Sequence, residues 1–175
     1  HKSSFSITPP VYADGMVFVA LSGGTVQAFN ASTLESLWIY TDKLGGQPNC
    51  PLTVKNGYLY TGFWNSETGS ANFVCLSVTD EDPAQSGESK CASWYYTGKG
   101  GFYWAGAYVS DDFLLVGTDD GGNGYTSQTS RLLLLDPASG ELLDSWDNLN
   151  ADIRSTVVYD DETDAYYFTS KGGTF

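Results

Sequence analysis

The chain has 175 residues with 21 acidic and 8 basic side chains, for a formal net charge of −13. That length suits one domain, and the charge argues against nucleic acid and anionic membrane surfaces as partners, because both repel an acidic surface. No apolar run approaches the roughly 20 residues of a membrane helix, which argues against membrane insertion. The 12 Tyr, 9 Phe, 5 Trp and 20 Gly favour strands joined by tight turns, and Gly, Pro and turn clusters cut every helical stripe. The reading is an all-β protein.

In chain order, Met16-Val17-Phe18-Val19-Ala20-Leu21 is a β-branched and aromatic run, and Ser22-Gly23-Gly24 is a hairpin signal. Thr25-Val26-Gln27-Ala28-Phe29 alternates at the period of a strand, Asn30-Ala31-Ser32-Thr33 has turn chemistry, and Ser36-Leu37-Trp38-Ile39-Tyr40 is a third strand. The short strand ending in Asp14-Gly15 returns with Asn56-Gly57 and again with Asp111-Asp112, each leading into an apolar strand. A fourth copy begins at Ser155-Thr156-Val157-Val158-Tyr159, with its turn lengthened to residues 160–164. Trp38-Ile39-Tyr40-Thr41 recurs as Trp94-Tyr95-Tyr96-Thr97. In the third copy the position matching Trp38 is Asp144, and Trp146 arrives two residues later, where it is expected to fill a similar space on the same strand face.

A unit of four antiparallel strands and about 40 residues has the size of a propeller blade. The expected architecture is three full blades and a partial fourth, over about residues 5–44, 45–98, 99–149 and 150–175, in an incomplete ring. Two polar insertions interrupt the repeat, Thr79 to Lys90 in blade two and Asp119 to Ser130 in blade three, and both read as surface loops. Cys75 and Cys91 fall on what read as neighbouring strands of one hairpin. They are equally consistent with a disulfide and with free thiols, and Cys50 is left over in either case.

The run GMVFVALSGGTVQAFNASTLESLW and the run LLLLDPASGELLDSW resemble the tryptophan-bearing repeat of quinoprotein-alcohol-dehydrogenase-like β-propellers, over nearly the whole chain. The resemblance implies a propeller fold shared by pyrroloquinoline-quinone (PQQ) dehydrogenases and by a non-catalytic outer-membrane-assembly scaffold. Family members that bind the quinone hold it between a tryptophan and a disulfide of adjacent cysteines, with Ca²⁺ on acids and an amide. This sequence has no adjacent cysteine pair and few bases, so the quinone chemistry is not expected here. Such blades do not close a ring with three and a half units, so further blades or another copy of the chain are expected at the edges. The chain opens at His1 and reads as a mature or excised segment of a secreted or cell-surface bacterial protein.

With His1 as the only histidine, a Ser-His-Asp or Cys-His arrangement is not available. The paired acids, such as Asp111 with Asp112 and Asp160 with Asp161, sit in expected turns, where Asp bonds its own backbone. A carboxylate-based glycoside hydrolase is the enzymatic alternative beside a quinoprotein oxidoreductase. Asp119, Asp120 and Asn123 offer oxygen ligands in a glycine-rich loop, so Ca²⁺ is the alternative to no cofactor at all. The candidate ligand platform is aromatic: Trp64, Tyr103 and Trp104, with Tyr125 in the blade-three insertion, for a carbohydrate or a protein. The leading reading is a binding scaffold without catalysis.

Overall fold

In the computed structural model, residues 8–122 and 129–173 are described, and every regular element among them is a strand. Blade one is β1 (Val11–Ala13), β2 (Met16–Leu21), β3 (Thr25–Asn30) and β4 (Ser36–Thr41), paired antiparallel in that order. Blade two is β5 (Thr53–Lys55), β6 (Tyr58–Gly62) and β7 (Ala71–Ser77), then β8 (Glu88–Lys90), which leaves it, and β9 (Trp94–Gly98), which closes it. Blade three is β10 (Tyr108–Val109), β11 (Leu114–Gly117), β12 (Thr129–Leu135) and β13 (Leu142–Asn150). A hairpin of β14 (Val158–Asp160) and β15 (Ala165–Tyr167) begins blade four. The chain is a partial β-propeller.

The local chemistry explains the turns. Asp14-Gly15 and Asn56-Gly57 both have positive φ, 51° and 77° in each case, as the two central positions of a type I′ hairpin turn require. The alternation of each strand sends one side-chain set toward the preceding blade and the other toward the next. Phe18, Ala20, Val26, Ala28 and Trp38 of blade one meet Leu59, Val74 and Leu76 of blade two. Phe73, Cys75 and Trp94 on the other face of blade two meet Leu114, Val116 and Leu133 of blade three. Leu115 and Leu132 then meet Ile153 and Val157, which lead into blade four. At roughly 25 cal/mol per Å² of apolar surface removed from water, these inter-blade cores are the main source of stability.

Three expectations change. The blade-two insertion is not only a loop: Glu88–Lys90 crosses to blade one as a fifth strand, parallel to β4, with Trp38, Ile39 and Tyr40 opposite Glu88, Ser89 and Lys90. Its anchor is Lys90, a buried lysine whose Nζ donates to the Thr79 carbonyl and to Glu81 and stands 5.4 Å from the Trp38 ring centroid. The crossing also separates the cysteines, since β7 has β6 and β9 as neighbours rather than the strand before Cys91. Cys50, Cys75 and Cys91 are all free thiols. Finally, Trp146 does not take the place of its counterparts: Trp38 is 0% and Trp94 7% exposed, and Trp146 is 49% exposed. Its strand position opposite Leu132 lacks the next blade's outer strands among the described residues.

Candidate functional site

The inner strands begin side by side. The Cys50 thiol donates to the Ala105 carbonyl, the Thr53 hydroxyl to the Ala107 carbonyl, and the Val157 N–H to the Gly106 carbonyl. Asn49, Trp104 and Arg154 each stand four residues ahead of the first residue of an inner strand, Thr53, Tyr108 and Val158 (53 − 49, 108 − 104, 158 − 154). Equivalent positions of three successive blades thus carry an amide, an indole and a guanidinium. Asn49 is buried, and among the described residues its Oδ1 has no hydrogen-bond partner.

The aromatic candidates meet here. Trp64 follows β6 and is held by backbone bonds to Gln47, and Phe102 donates its N–H to the Phe63 carbonyl, which brings residues 102–104 alongside. The Tyr103 ring lies between Trp64, at 4.8 Å between centroids, and Trp104, at 4.4 Å. The Arg154 guanidinium sits over Tyr103 at 4.5 Å, a favourable cation–π distance. Trp104 is 48% exposed and has φ +57°, a left-handed conformation rare for a bulky residue and a form of strain that concentrates at functional positions. Trp104, Arg154, Thr169, Ser170 and Lys171 line a cavity of about 300 Å³.

Behind the aromatics is a charged cluster. Arg154 Nε donates to Asp119 at 3.1 Å, and its Nη2 reaches Asp119, Glu67 at 2.9 Å and Asp152 at 3.1 Å. The Trp64 indole N–H donates to Asp119 Oδ2 at 3.2 Å. Lys171 Nζ meets Asp152 at 3.3 Å, and Asp152 also accepts the Asp120 N–H. Asp119 and Asp152 are fully buried, and Glu67 is half-exposed. Burial pushes the Asp119 carboxyl up to about 6, with the neighbouring Asp152 and Glu67 adding to the effect and Arg154 pulling against it. Burial likewise pushes the Cys50 and Cys75 thiols up to about 12, which leaves them protonated and poorly nucleophilic.

Ligand atoms of Glu67, Asp119 and Asp152 lie within 4.8 Å of one another, the spacing of a metal cluster, and the cation among them is the Arg154 guanidinium. Asp120 instead caps its own loop, accepting the N–H groups of Gly122 and Thr129. Asn123 and Tyr125 lie outside the described residues. The structure therefore unites Trp64, Tyr103, Trp104 and Asp119 and adds Glu67 and Asp152, which sequence reasoning missed. The available signal was Arg154, a lone arginine ahead of an inner strand, since a buried guanidinium requires carboxylates nearby.

No family model matches the chain, and no curated protein matches it. Solved structures do. BamB from Moraxella catarrhalis superposes with a TM-score of 0.64 at 15% identity, over 98% of this chain and 46% of that one. The computationally designed Ika4 protein gives 0.66 at 12% identity, over 99% of this chain and 90% of that one. The quinohemoprotein alcohol dehydrogenase from Comamonas testosteroni gives 0.60 at 16% identity, over 93% of this chain and 22% of that one. The chain spans about half the length of BamB and about a fifth of the dehydrogenase. These likenesses show the fold: a partial β-propeller of the type shared by BamB and the quinoprotein dehydrogenases.

Proposed function

We propose that this chain is a non-catalytic binding segment of a secreted or cell-surface bacterial β-propeller, which takes a carbohydrate or a protein ligand where the inner strands begin. The observation that carries the reading is Trp104, an exposed indole on a left-handed backbone beside a 300 Å³ cavity. An indole face stacks on sugar rings and on peptide side chains, and Thr169 and Ser170 add hydroxyls at the cavity wall. The acidic surface, the fold shared with BamB and the open blade edges support a scaffold completed by further strands.

The donor set does not fit an anionic quinone. Both cations that line the cavity are already engaged, Arg154 by three carboxylates and Lys171 by Asp152, and the three thiols are separate. Buried thiols and engaged carboxylates likewise support binding without turnover.

Oligosaccharide and peptide arrays probed with the chain test the reading, followed by tryptophan fluorescence titration of the hits. Trp104→Ala is expected to weaken a true hit by about tenfold, the equivalent of roughly 1.4 kcal/mol, within the range of an aromatic stacking contact. Hits that Trp104→Ala leaves untouched would move the site elsewhere. A rise in melting temperature with PQQ and Ca²⁺ would instead favour the quinoprotein alternative, because a ligand of the native state stabilises it.

A further inference from the structure

Blades one and two share a buried polar contact. The Tyr40 hydroxyl donates to the Asp42 carboxylate at 2.7 Å, and Asn72 Nδ2 donates to both carboxylate oxygens, at 3.0 and 3.1 Å. The Leu44 backbone N–H adds a further bond at 2.9 Å. Asp42 is thus a buried carboxylate held by a phenol of its own blade and an amide of the next.

The repeat brings the same positions together between blades two and three. Tyr96 stands in Trp94-Tyr95-Tyr96-Thr97 where Tyr40 stands in Trp38-Ile39-Tyr40-Thr41. Asn72 and Arg131 are each four residues ahead of a leucine, Leu76 or Leu135, which pairs with Leu59 or Leu114 on the second strand of its blade. Arg131 Nη1 reaches across to the Tyr96 hydroxyl at 3.3 Å. The place of Asp42 is taken by Gly98, where a Cβ would stand 2.9 Å from the Phe102 ring. The tyrosine recurs, the amide has become a guanidinium, and the carboxylate of that position is gone.

A cavity of about 440 Å³ lies here, and Tyr96, Lys99 and Arg131 are among the side chains that line it. Arg131 gives its Nε to Asp147, one Nη1 proton to Tyr96 and one Nη2 proton to Ser145, so two of its five N–H groups have no acceptor among the described residues. Its pair with Asp147 is 39% and 52% exposed, the kind that contributes little. Lys99 meets no carboxylate among the described residues, and the residues outside them carry no acidic side chain. The Tyr96 hydroxyl accepts from Arg131 and keeps its own proton to donate. The acids of the lining are engaged: Asp119 by Arg154 and Trp64, Asp120 by the N–H groups of Gly122 and Thr129, and Asp147 by Arg131 and Ser145.

We propose that this cavity binds a ligand carboxylate, gripped by the Tyr96 hydroxyl, Arg131 and Lys99, as Asp42 is gripped one blade earlier. The remaining lining includes exposed Thr97, whose hydroxyl proton goes to Asn72 and whose lone pairs are open to ligand hydroxyls. A carboxylate on a hydroxylated ring is the chemistry of a uronic acid, and the volume lies in the range of small-molecule sites. This cavity shares no lining residue with the one beside Trp104, and the two sites are independent.

The test titrates sodium glucuronate into the ¹⁵N-labelled 175-residue chain at constant ionic strength, with glucose and sodium sulfate as parallel arms. The amides of residues 96–99 and the Arg131 Nε–H are expected to shift with glucuronate and to stay in place with the other two. Tyr96→Phe keeps the packed ring and removes the donor, so it should weaken binding tenfold or more, as for a hydrogen bond to a charged group. Lys99→Gln alters an exposed residue and should weaken binding about twofold to fivefold and flatten its salt dependence. Melting temperatures of both variants check folding. Resonances unmoved by tens of millimolar glucuronate overturn the proposal, and so do equal shifts with glucose. Equal shifts with sulfate mean an adventitious anion only, and shifts confined to residues 104, 154 and 169–171 move the ligand to the other cavity; either result overturns it.

Discussion

The Trp64 indole donates its N–H to the Asp119 carboxylate at 3.2 Å, across 55 residues of sequence. This bond fastens the chain segment after β6 to the segment after β11, and so fixes the aromatic platform of blade two against the charged cluster of blade three. Trp64→Phe keeps a ring beside Tyr103 and removes the donor from a buried carboxylate. The expected loss is about 1.5–3 kcal/mol, the range for a hydrogen bond to a charged group. Urea denaturation measures it, and a loss under a few tenths would mean that Asp119 is satisfied by Arg154 alone.

Asp119 also sets a pH dependence. Burial raises its folded pKa to about 6, above the roughly 3.9 of an unfolded aspartate. The folded chain then holds this proton more tightly than the unfolded chain. Its contribution is therefore fully present below about pH 4 and is lost as pH rises through about 6. Asp119→Asn lacks this component, so relative to the parent it should gain stability between pH 4 and pH 7. Urea midpoints of both proteins at unit pH steps measure the trend, and a constant difference would place Asp119 in the ordinary carboxylate range.

The three blade tryptophans should separate sharply. Trp38→Ala empties a fully buried site and strands the Val78 carbonyl, and should cost about 3–5 kcal/mol. Trp146→Ala alters a half-exposed ring and should stay within about 0.5 kcal/mol. Equal losses would contradict the exposure of Trp146.

Gly140→Ala should be costly for two reasons. Its φ of +73° is poor for any residue with a Cβ, and that Cβ would press into the Trp94 ring at 2.4 Å. Left-handed strain of about 1–2 kcal/mol and overpacking of about 1–3 kcal/mol give an expected loss of 2 kcal/mol or more. Leu34→Ala, at the matching place in blade one, keeps a Cβ where one already stands and should be nearly neutral. Paired melting curves distinguish the two.

The repeat was legible because its marks are local. An Asn-Gly turn, a strand alternating in period two and a tryptophan near its end each specify conformation within a few residues, and β2, β3 and β4 lie where those marks put them. Trp64, Tyr103 and Trp104 were legible as departures from the repeat. Glu67 and Asp152 were not, since a buried carboxylate is explained only by the cation it meets, and that meeting is set by the stacking of blades. The crossing of β8 was hidden for a similar reason. Glu88-Ser89-Lys90 has no apolar alternation, and its parallel partner lies 50 residues back, as Trp38 opposite Glu88 shows.

That crossing makes blades one and two mechanically unequal to their neighbours. Elsewhere, successive blades meet chiefly through side chains, the arrangement in which repeat arrays can fray one unit at a time. Here three residues from blade two are hydrogen-bonded into the sheet of blade one, so peeling either away first breaks a parallel backbone ladder and exposes the Lys90 ammonium. Under a stretching force these two blades should yield together as one event, and blade three should yield in another.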